Sequence, residues 1–419
     1  MRGSSSPAVL FVLPVAPSRS PAVQASWIAS ASMARALGRR LGGTDVLTPR
    51  GLLRPDEMMS LTLQRTAEPS AARDVVRRLP MHVRAALGDL QAINLNRKMR
   101  ALSREVAGRR YRLVVQRHHR FQDCGLAVAK GAGIPSVLLL DAMEVREEAA
   151  WGIRRPGWGR VVERIGELRI IRRADLVASV SAEIDEQLPE GSFADRRVIV
   201  PSGVDLSLFA PGPPDRGLRV QHALDGRFAV GWIGGFWPFH GLEAVAEIAR
   251  GLQARVPEAV LCLVGTGPLR DDIAKRVRGL EAHVRLLDPV PHDRVPQWLR
   301  TFDACFLLAG AGFRSSSLKL YEYLACGRPV VAAAAGQVKE VLTHGSNGFL
   351  VPREDPIAVV GAIERLARDP ALRRRLGEEA RRTVEGSASW DDRAESIWSA
   401  LEERGFSLER SQGKAVAGR

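Results

Sequence analysis

Apolar positions along the chain form short runs of strand length, and these runs alternate with stretches in which apolar residues recur at helical spacing. The first run covers residues 8–16, a Pro/Ser loop follows at residues 17–21, and residues 24–41 carry an apolar helical stripe. Buried parallel strands are continuous apolar runs, whereas the helices between them are apolar on one face. The alternation therefore predicts an α/β protein with parallel sheets.

An arginine before the first apolar run also fits a weak signal peptide. We favour a first strand, because the run breaks into a loop and a helix as parallel strands do. No apolar run in the chain reaches the roughly 18 residues that a membrane-spanning helix needs. An integral membrane protein is therefore not expected.

The most sharply punctuated stretch of the chain is residues 304–350. An apolar run at residues 304–309 is followed by a Gly/Ser loop and a short helical pattern. Gly327 ends that pattern and Pro329 cannot continue it, so a new apolar strand begins directly afterwards. The stretch is predicted to form a strand, a helix and a second, parallel strand.

The start of this helix has the chemistry of an anion site. Serines at residues 315–317 can cap it, and the first-turn amides offer unpaired donors and a partial positive charge to a diphosphate. Lys319 and Glu322 follow at positions i and i+3, where a cation can reach phosphate and a carboxylate can accept from sugar hydroxyls. The alternative is a Lys/Glu pair on an exposed helix surface.

The residues SLKLYEYLACGRPVVA, followed by GQVKEV and GSNGFLVP, resemble the donor-site signature of family 4 glycosyltransferases. Members of that family are retaining enzymes that use nucleotide sugars and have the GT-B fold, two Rossmann-like domains with parallel sheets facing a central cleft. The resemblance implies that Glu322 binds the nucleotide ribose and that Glu340 lies in a loop near the sugar or diphosphate. Arg314 stands where the usual motif has a second glutamate.

A second anion cradle is predicted where the strand at residues 228–233 runs into Gly234 and Gly235. Most members of the family carry an arginine and a lysine in this loop, and here Gly235 and His240 hold those positions. His240 is therefore the leading candidate for a phosphate contact, the alternative being a simple loop histidine. Lys319 and Arg314 would then neutralise more of the diphosphate charge.

The resemblance implies a full set of donor-binding residues, in which Gly265 and Val290 lie near the nucleotide base. The set is Gly234, Gly235, His240, Gly265, Val290, Arg314, Ser317, Leu318, Lys319, Glu322 and Glu340. The candidate catalytic residues are His119, His240 and Lys319.

His119 comes from the first half of the chain, where the strand at residues 111–116 ends in Arg117, His118 and His119. Ligands bind beyond the carboxyl ends of parallel strands, so His118 and His119, together with Asp141 and Glu144 after the next strand, are expected at the mouth of the first domain. The surrounding segment resembles the acceptor domain of the same enzymes, some of which use a histidine near the reacting sugar. A structural or solvated histidine pair is the alternative.

A Pro/Gly-rich linker at residues 211–217 follows a hinge-like sequence, PSGVDLSLFAP, and divides the chain into domains. An acceptor-binding Rossmann-like domain is predicted over residues 1–205 and a donor-binding one over residues 206–385. A C-terminal helix at residues 386–406 should cross back to the first domain, and residues 407–419 are expected to be a disordered tail.

Composition agrees with a two-domain globular protein: 419 residues, of which 45% are hydrophobic and 26% charged. The four cysteines are scattered and the eight histidines show no metal-binding spacing. We therefore expect reduced thiols, no bound metal or other cofactor, and a cytoplasmic location.

The net charge of +14 is concentrated in the first half, where residues 1–200 contain 32 basic and 20 acidic side chains. The helical pattern at residues 97–110 lies in a particularly basic segment. Such a surface can contact anionic lipid at the inner face of the plasma membrane, or be a solvated basic surface. Aromatic residues are only 5% of the chain, which disfavours nucleic acid as a partner.

The resemblance thus indicates a metal-independent retaining glycosyltransferase that moves a sugar from a nucleotide sugar to an acceptor hydroxyl in glycan or glycoconjugate biosynthesis. The acceptor could be lipid-linked or a polysaccharide. The alternatives are a GT-B sugar-nucleotide epimerase and a catalytically silent protein that binds sugar nucleotides.

Overall fold

Two parallel β-sheets with helices around them make up the computed structural model of the chain. It describes residues 7–15, 21–62, 79–106, 108–191, 193–310 and 318–407. The predicted disordered tail lies almost entirely outside these residues. The α/β class with parallel sheets is confirmed.

The first sheet has seven strands in the order β3-β2-β1-β4-β5-β6-β7. All neighbours pair in parallel except β2 and β3, which form an antiparallel edge. The strands are β1 (Val9–Val12), β2 (Thr44–Thr48), β3 (Gly51–Leu53), β4 (Leu113–Arg117), β5 (Ser136–Leu140), β6 (Leu176–Ser179) and β7 (Arg197–Ile199).

Helices cover both faces of this sheet. They are α1 (Pro21–Leu41), α2 (Pro55–Thr62), α3 (Met81–Arg104), α4 (Cys124–Ala132), α5 (Glu144–Ala150), α6 (Gly159–Val162), α7 (Arg169–Ile171) and α8 (Ala182–Asp185), with a π-helical turn at Glu163–Leu168.

The second sheet has six strands in the order β10-β9-β8-β11-β12-β13, and every neighbouring pair is parallel. The strands are β8 (Phe228–Gly235), β9 (Ala259–Thr266), β10 (Val284–Leu287), β11 (Ala304–Leu307), β12 (Val330–Ala333) and β13 (Phe349–Val351).

The helices of the second half are α9 (Arg216–Gln221), α10 (Val245–Arg255), α11 (Arg270–Arg276), α12 (Val295–Thr301), α13 (Leu318–Ala325), α14 (Val338–Val341), α15 (Pro356–Arg368), α16 (Pro370–Val384) and α17 (Trp390–Glu402). Short 3₁₀ turns at Pro238–His240 and Leu242–Ala244 precede α10. Within the described residues, no helix is both long and apolar enough to cross a bilayer.

The last helix, α17, belongs to the core of the first sheet although it follows the second sheet in the chain. Its residues Ile397 and Trp398 are buried in one cluster with Trp27 and Leu37 of α1. A capping box starts this helix, because Ser389 and Asp392 exchange side-chain to backbone hydrogen bonds. Helix α17 therefore ties the C-terminal part of the chain to the first sheet.

One predicted element differs clearly from the structure. The helix expected over residues 97–110 is the end of α3, which starts at Met81 and stops at Arg104. The predicted end was six residues too late, and the helix begins well before the basic segment. Pro80 precedes the first helical residue, and beyond Arg104 the buried side chain of Val106 packs with the core under β1 and β4.

Replacing Trp398 by alanine should lower the free energy of unfolding by about 3–5 kcal/mol, because a fully buried indole leaves a cavity. The guanidinium of Arg40 also lies 5.3 Å from the Trp398 ring and would lose this contact. Chemical denaturation followed by circular dichroism measures the change. Ser399→Ala, at an exposed position of the same helix, is the control. An unchanged midpoint for Trp398→Ala would contradict the packing of α17.

Candidate active site

A cavity of about 480 Å³ lies in the cleft between the two sheets. Residues of the first domain that line it come from α1, the end of β4 and the segment after β5, and residues of the second include the ends of β8 and β9. Since parallel strands point their carboxyl ends to one edge of a sheet, this is the position expected for a ligand site in an open α/β fold. Its wall from the second domain includes Gly234, Gly235, His240, Gly265, Val290, His292, Leu318, Lys319 and Glu322.

The end of β8 can approach the cavity only because it carries glycine. Gly234 has a φ of 152°, and a Cβ atom there would lie 2.2 Å from Cε of Lys319. A Cβ atom on Gly265 of the neighbouring strand would lie 1.9 Å from the carbonyl oxygen of Gly234. The glycines therefore leave room for the lysine side chain to run along the β8 backbone into the cleft.

Lys319 is the cationic group at the centre of this wall. Its amino nitrogen lies 3.1 Å from Nε2 of His240 and 5.2 Å from the centroid of the Trp232 ring. Burial lowers the pKa of Lys319 to about 8, although nearby Glu322 favours the charged form. Burial and the neighbouring Lys319 both lower the pKa of His240 well below its ordinary value. The pair is therefore an ammonium beside a neutral imidazole near pH 7.

Glu322 is buried, with 6% of its surface exposed, so the alternative of a surface Lys/Glu pair is wrong. Residues Leu320–Ala325 of α13 are all buried, because this helix packs on α16 and on the edge of the cleft at once. One oxygen of Glu322 lies 2.8 Å from Nε2 of His292, a residue of the 3₁₀ turn before α12. The sequence analysis did not identify His292, although this residue lies two positions after Val290, which was expected near the nucleotide base.

The strand end and the helix of this site are fixed to each other by one buried hydrogen bond. The amide of Ile233 in β8 donates to the hydroxyl of Tyr323 in α13 over 2.9 Å. This hydrogen bond fixes the end of β8, with its glycines, against the helix that carries Lys319 and Glu322.

The remaining predicted donor residues are placed differently. Leu318 and Val290 line the cavity. Glu340 is exposed on the short helix α14 and does not line the cavity. Arg314 and Ser317 lie outside the described residues. Their predicted roles stay predictions.

The two histidines that follow β4 lie beside carboxylates. His118 is buried, with Nε2 3.4 Å from Glu167. Burial opposes its charge, but the carboxylates of Glu167, Glu144 and Asp141 together raise the pKa of His118. His119 is partly exposed and has Nδ1 3.5 Å from Glu144. Neither lines the cavity, and the catalytic role of His119 stays a prediction.

Arg117 and Asp141 line the first domain's wall, Asp141 as expected and Arg117 next to the predicted histidines. They form an ion pair of 2.8 Å, and Arg117 also donates to the Ser26 carbonyl and the Ser30 hydroxyl. Glu147 of α5 lines the same wall. Burial, followed by the charges of neighbouring carboxylates, raises the pKa of Glu147 to about 8.

Aromatic rings join the two domains at the rim of the cavity. The ring of Trp151, after α5, is stacked on Phe239 of the second domain with centroids 5.5 Å apart and an interplanar angle of 18°. Phe239 is in turn parallel to Trp237. The glycine loop of the second domain is thus in contact with the wall of the first.

Two sheets of this topology, facing a cleft closed by a C-terminal helix, define the GT-B fold, and this prediction is confirmed. The chain is similar in fold to sucrose-phosphate synthase from Thermosynechococcus elongatus, with a TM-score of 0.68 over 95% of this chain and 98% of that chain, at 19% identity. It is also similar to Anabaena HepE in complex with UDP-glucose, with a TM-score of 0.65 over 94% and 99%, at 18% identity.

Residues 227–369 match the family model described as Glycosyl transferases group 1. A D-inositol 3-phosphate glycosyltransferase from Acidothermus cellulolyticus is 30% identical over 66% of this chain and 63% of its own length. D-inositol 3-phosphate glycosyltransferase 1 from Catenulispora acidiphila is 29% identical over 62% and 64%. A GDP-mannose-dependent phosphatidylinositol monomannoside mannosyltransferase from Mycolicibacterium smegmatis is 27% identical over 59% and 68%. The chain thus spans less than two thirds of the length of the first two.

A Cβ atom on Gly234 should be tolerated only when the lysine is shortened. We expect Gly234→Ala to lower the free energy of unfolding by about 1–3 kcal/mol, from the strained φ and the overlap with Lys319. In a Lys319→Ala background the cost should fall by at least about 0.5 kcal/mol, because the overlapping atoms are gone. Denaturant titration of the four proteins measures this coupling.

Gly361→Ala is the matched control, since this helical glycine has nothing within 4 Å of an added Cβ. It should leave stability unchanged or raise it. Equal costs of Gly234→Ala in both backgrounds would show that Lys319 does not run along the β8 backbone.

Proposed function

We propose that the protein is a retaining family 4 glycosyltransferase that moves a sugar from a nucleotide-sugar donor to an acceptor hydroxyl. The observation that carries the proposal is that Lys319 and Glu322, one turn apart on α13, line the same cavity as the glycines at the end of β8. The family match over residues 227–369 and the names of the relatives support it. The complexes of HepE with UDP and UDP-glucose support a nucleotide-sugar donor.

The transfer breaks the bond between the anomeric carbon and a phosphate oxygen, the acceptor oxygen bonds to that carbon, and the acceptor's proton passes to the departing diphosphate. Charge builds up on the departing diphosphate, and stabilising this charge is the main catalytic task. Lys319 supplies a positive charge in a partly buried site, where it acts more strongly than in water. His240, held against Lys319, would contact the same diphosphate through its ring. Retention of the anomeric configuration follows from the family resemblance.

Glu322 would accept hydrogen bonds from the ribose hydroxyls, while His292 fixes its carboxylate from the other side. A buried carboxylate bound on one oxygen keeps the second oxygen available as an acceptor. We place the nucleotide base near Gly265 and Val290, and the diphosphate at Gly234, Gly235 and Lys319. The proposed donor domain is residues 206–385, and the proposed acceptor domain is residues 1–205.

We propose further that no metal ion or other cofactor takes part. The support is the donor set: Lys319 and the backbone amides can neutralise a diphosphate, a task for which other enzymes use a divalent ion. Within the described residues, no group of three or more His, Cys, Asp or Glu side chains is arranged to hold a metal. The rate of glycosyl transfer should therefore be unchanged when the chelator EDTA is added.

The donor site predicts selective stabilisation by one class of nucleotide. A thermal-shift screen with UDP-glucose, GDP-mannose, ADP-glucose and dTDP-glucose should raise Tm with one base, since a ligand of the folded state alone stabilises it. Glu322→Gln should lower the affinity for that donor by about 10- to 100-fold, because a charge-assisted hydrogen bond is lost. Glu247→Gln, at an exposed position of α10, should not.

The same donor with an acceptor tests the reaction itself. Release of nucleoside diphosphate together with a new glycoside supports transfer, and mass spectrometry identifies it. A changed sugar with no glycoside would indicate an epimerase. Donor binding with neither product would indicate a silent binding protein.

The lowered pKa of Lys319 predicts how donor affinity depends on pH. Below pH 8 the amine is charged and binds the diphosphate, and above pH 8 it loses its proton while the phosphates stay ionised. Affinity should fall as pH rises from 8 to 9, by up to about tenfold per pH unit. Titration calorimetry measures it. Lys319→Gln should bind more weakly at every pH and show no fall in this window; a fall of equal size in both proteins would contradict the assignment.

We propose a cytoplasmic enzyme that contacts the inner face of the plasma membrane through α3. Arg97, Lys98 and Arg104 are exposed on this helix, whereas Met99 and Leu102 pack into the core. The contact would therefore be electrostatic, without insertion of an apolar face. Nucleic acid is not proposed as a partner.

Cosedimentation with vesicles tests this contact. The protein should bind phosphatidylcholine vesicles that contain phosphatidylserine, and not pure phosphatidylcholine, and high salt should release it. Replacing Arg97, Lys98 and Arg104 together by glutamate should abolish binding. Equal binding to both vesicle types, or none, would refute it.

A further inference from the structure

The acceptor wall, defined here as Arg117, Asp141, Glu147 and Trp151, lines the same cavity as Lys319 from the first domain. We propose that this wall selects an acceptor that is uncharged where it meets the enzyme, a saccharide or cyclitol hydroxyl group without phosphate. The inference rests on the proposed glycosyl transfer and names the chemistry of its second substrate.

The only cation of the acceptor wall is already neutralised. Arg117 is paired with Asp141 at 2.8 Å and bound to α1 through the Ser26 carbonyl and the Ser30 hydroxyl. A phosphate on the acceptor would have to break this pair and leave Asp141 without its counter-ion. Within the described residues, the wall offers a bound anion no free guanidinium or ammonium.

Glu147 has no hydrogen bond or ion pair to its carboxylate within the described part of the chain. The neighbouring carboxylates are engaged: Glu144 and Glu148 bind Arg120, and Glu148 also binds Arg155. Glu167 accepts from the backbone amides of Glu144 and Val145. Glu147 thus lines the cavity with its hydrogen-bonding capacity unused.

The surroundings of Glu147 also disfavour negative charge. Burial is the first cause that raises its pKa to about 8, and the carboxylates of Glu144, Asp141, Glu148 and Glu167 add to it. A phosphate brought to the same place would meet the same burial and the same carboxylates, whereas a hydroxyl carries no charge. Protonated or ionised, the carboxyl group of Glu147 can accept a hydrogen bond from a sugar hydroxyl.

Trp151 supplies an apolar side to the same wall. Its ring is held by the stack on Phe239 and lies one turn after Glu147. Carboxyl groups that fix hydroxyls, beside an aromatic ring that packs on C–H groups, suit a polyhydroxylated ring. Both features line the same cavity as the cation that would hold the donor diphosphate, and the acceptor hydroxyl must reach this cavity.

Matched pairs of acceptors test the proposal. With the donor identified by thermal shift, nucleotide release is measured with glucose and glucose 6-phosphate, mannose and mannose 6-phosphate, and myo-inositol and its monophosphate. Within each pair that reacts, the neutral member should have a kcat/KM at least about tenfold higher, because like charges oppose binding. Faster reaction of phosphorylated members, or no response to any neutral member, would overturn the proposal.

Substitutions of Glu147 test whether the preference for neutral acceptors arises at the acceptor wall. Glu147→Ala should raise KM for the neutral acceptor about tenfold or more, with less effect on kcat, since it removes a binding contact. Glu147→Lys should reduce or reverse the difference in kcat/KM between the neutral and the phosphorylated member of a pair. Glu190→Ala, exposed before β7, is the control. An unaltered preference in both Glu147 variants would refute the assignment.

Donor binding distinguishes a failure of the acceptor proposal from a failure of the proposed glycosyl transfer. If the Glu147 variants keep the donor-induced rise in Tm, they are folded and the donor site is intact, so any loss of selectivity belongs to the acceptor wall. If the unaltered protein binds no nucleotide sugar, the proposed function itself fails, whatever the acceptors show.

Discussion

A partly buried ammonium group is the constraint on which the arrangement of this cleft depends. Lys319 can enter the cleft only where β8 ends in a glycine, because a Cβ atom on Gly234 would overlap its side chain. It stays next to His240 because burial keeps that imidazole neutral, so the pair does not repel. The site therefore holds a positive charge at some cost, which an anionic ligand would relieve.

The buried carboxylate of Glu322 is the complement of this cation. It stands one turn along α13, bonded to His292 and favouring the charged form of Lys319. The bond from Ile233 to Tyr323 locks the strand end and the helix together. Two groups of opposite charge are thus presented from one rigid helix turn, which suits a ligand with phosphate at one end and hydroxyls at the other.

The fold was largely predictable from the sequence, because buried parallel strands leave a strong apolar pattern. The strand expected at residues 228–233 is β8, which runs two residues further, and the helix expected at residues 24–41 ends at Leu41 as predicted. The start of α3 was missed because the buried residues of its first half, Ala85, Asp89 and Ala92, are small or charged and leave no strong apolar stripe. Lys319 and Glu322 were identified through the family signature. Their position in the cavity is compatible with the roles that the signature implies.

Other parts of the site could not be predicted, because they depend on contacts between distant segments. The pair of His292 and Glu322 joins two elements 30 positions apart. The acceptor wall depends on which of five nearby carboxylates remains unpaired, a property that spacing alone does not reveal. Glu340 was expected near the ligand from its motif, yet it is exposed on α14 away from the cavity.

The most direct test of this account is a crystal structure with the nucleotide sugar that the thermal-shift screen selects. The account predicts the diphosphate between the backbone of Gly234 and Gly235 and the amine of Lys319, with the ribose hydroxyls on Glu322 and His292 still bound to its other side. A nucleotide bound elsewhere, or one whose phosphates leave Lys319 paired only with His240, would contradict it.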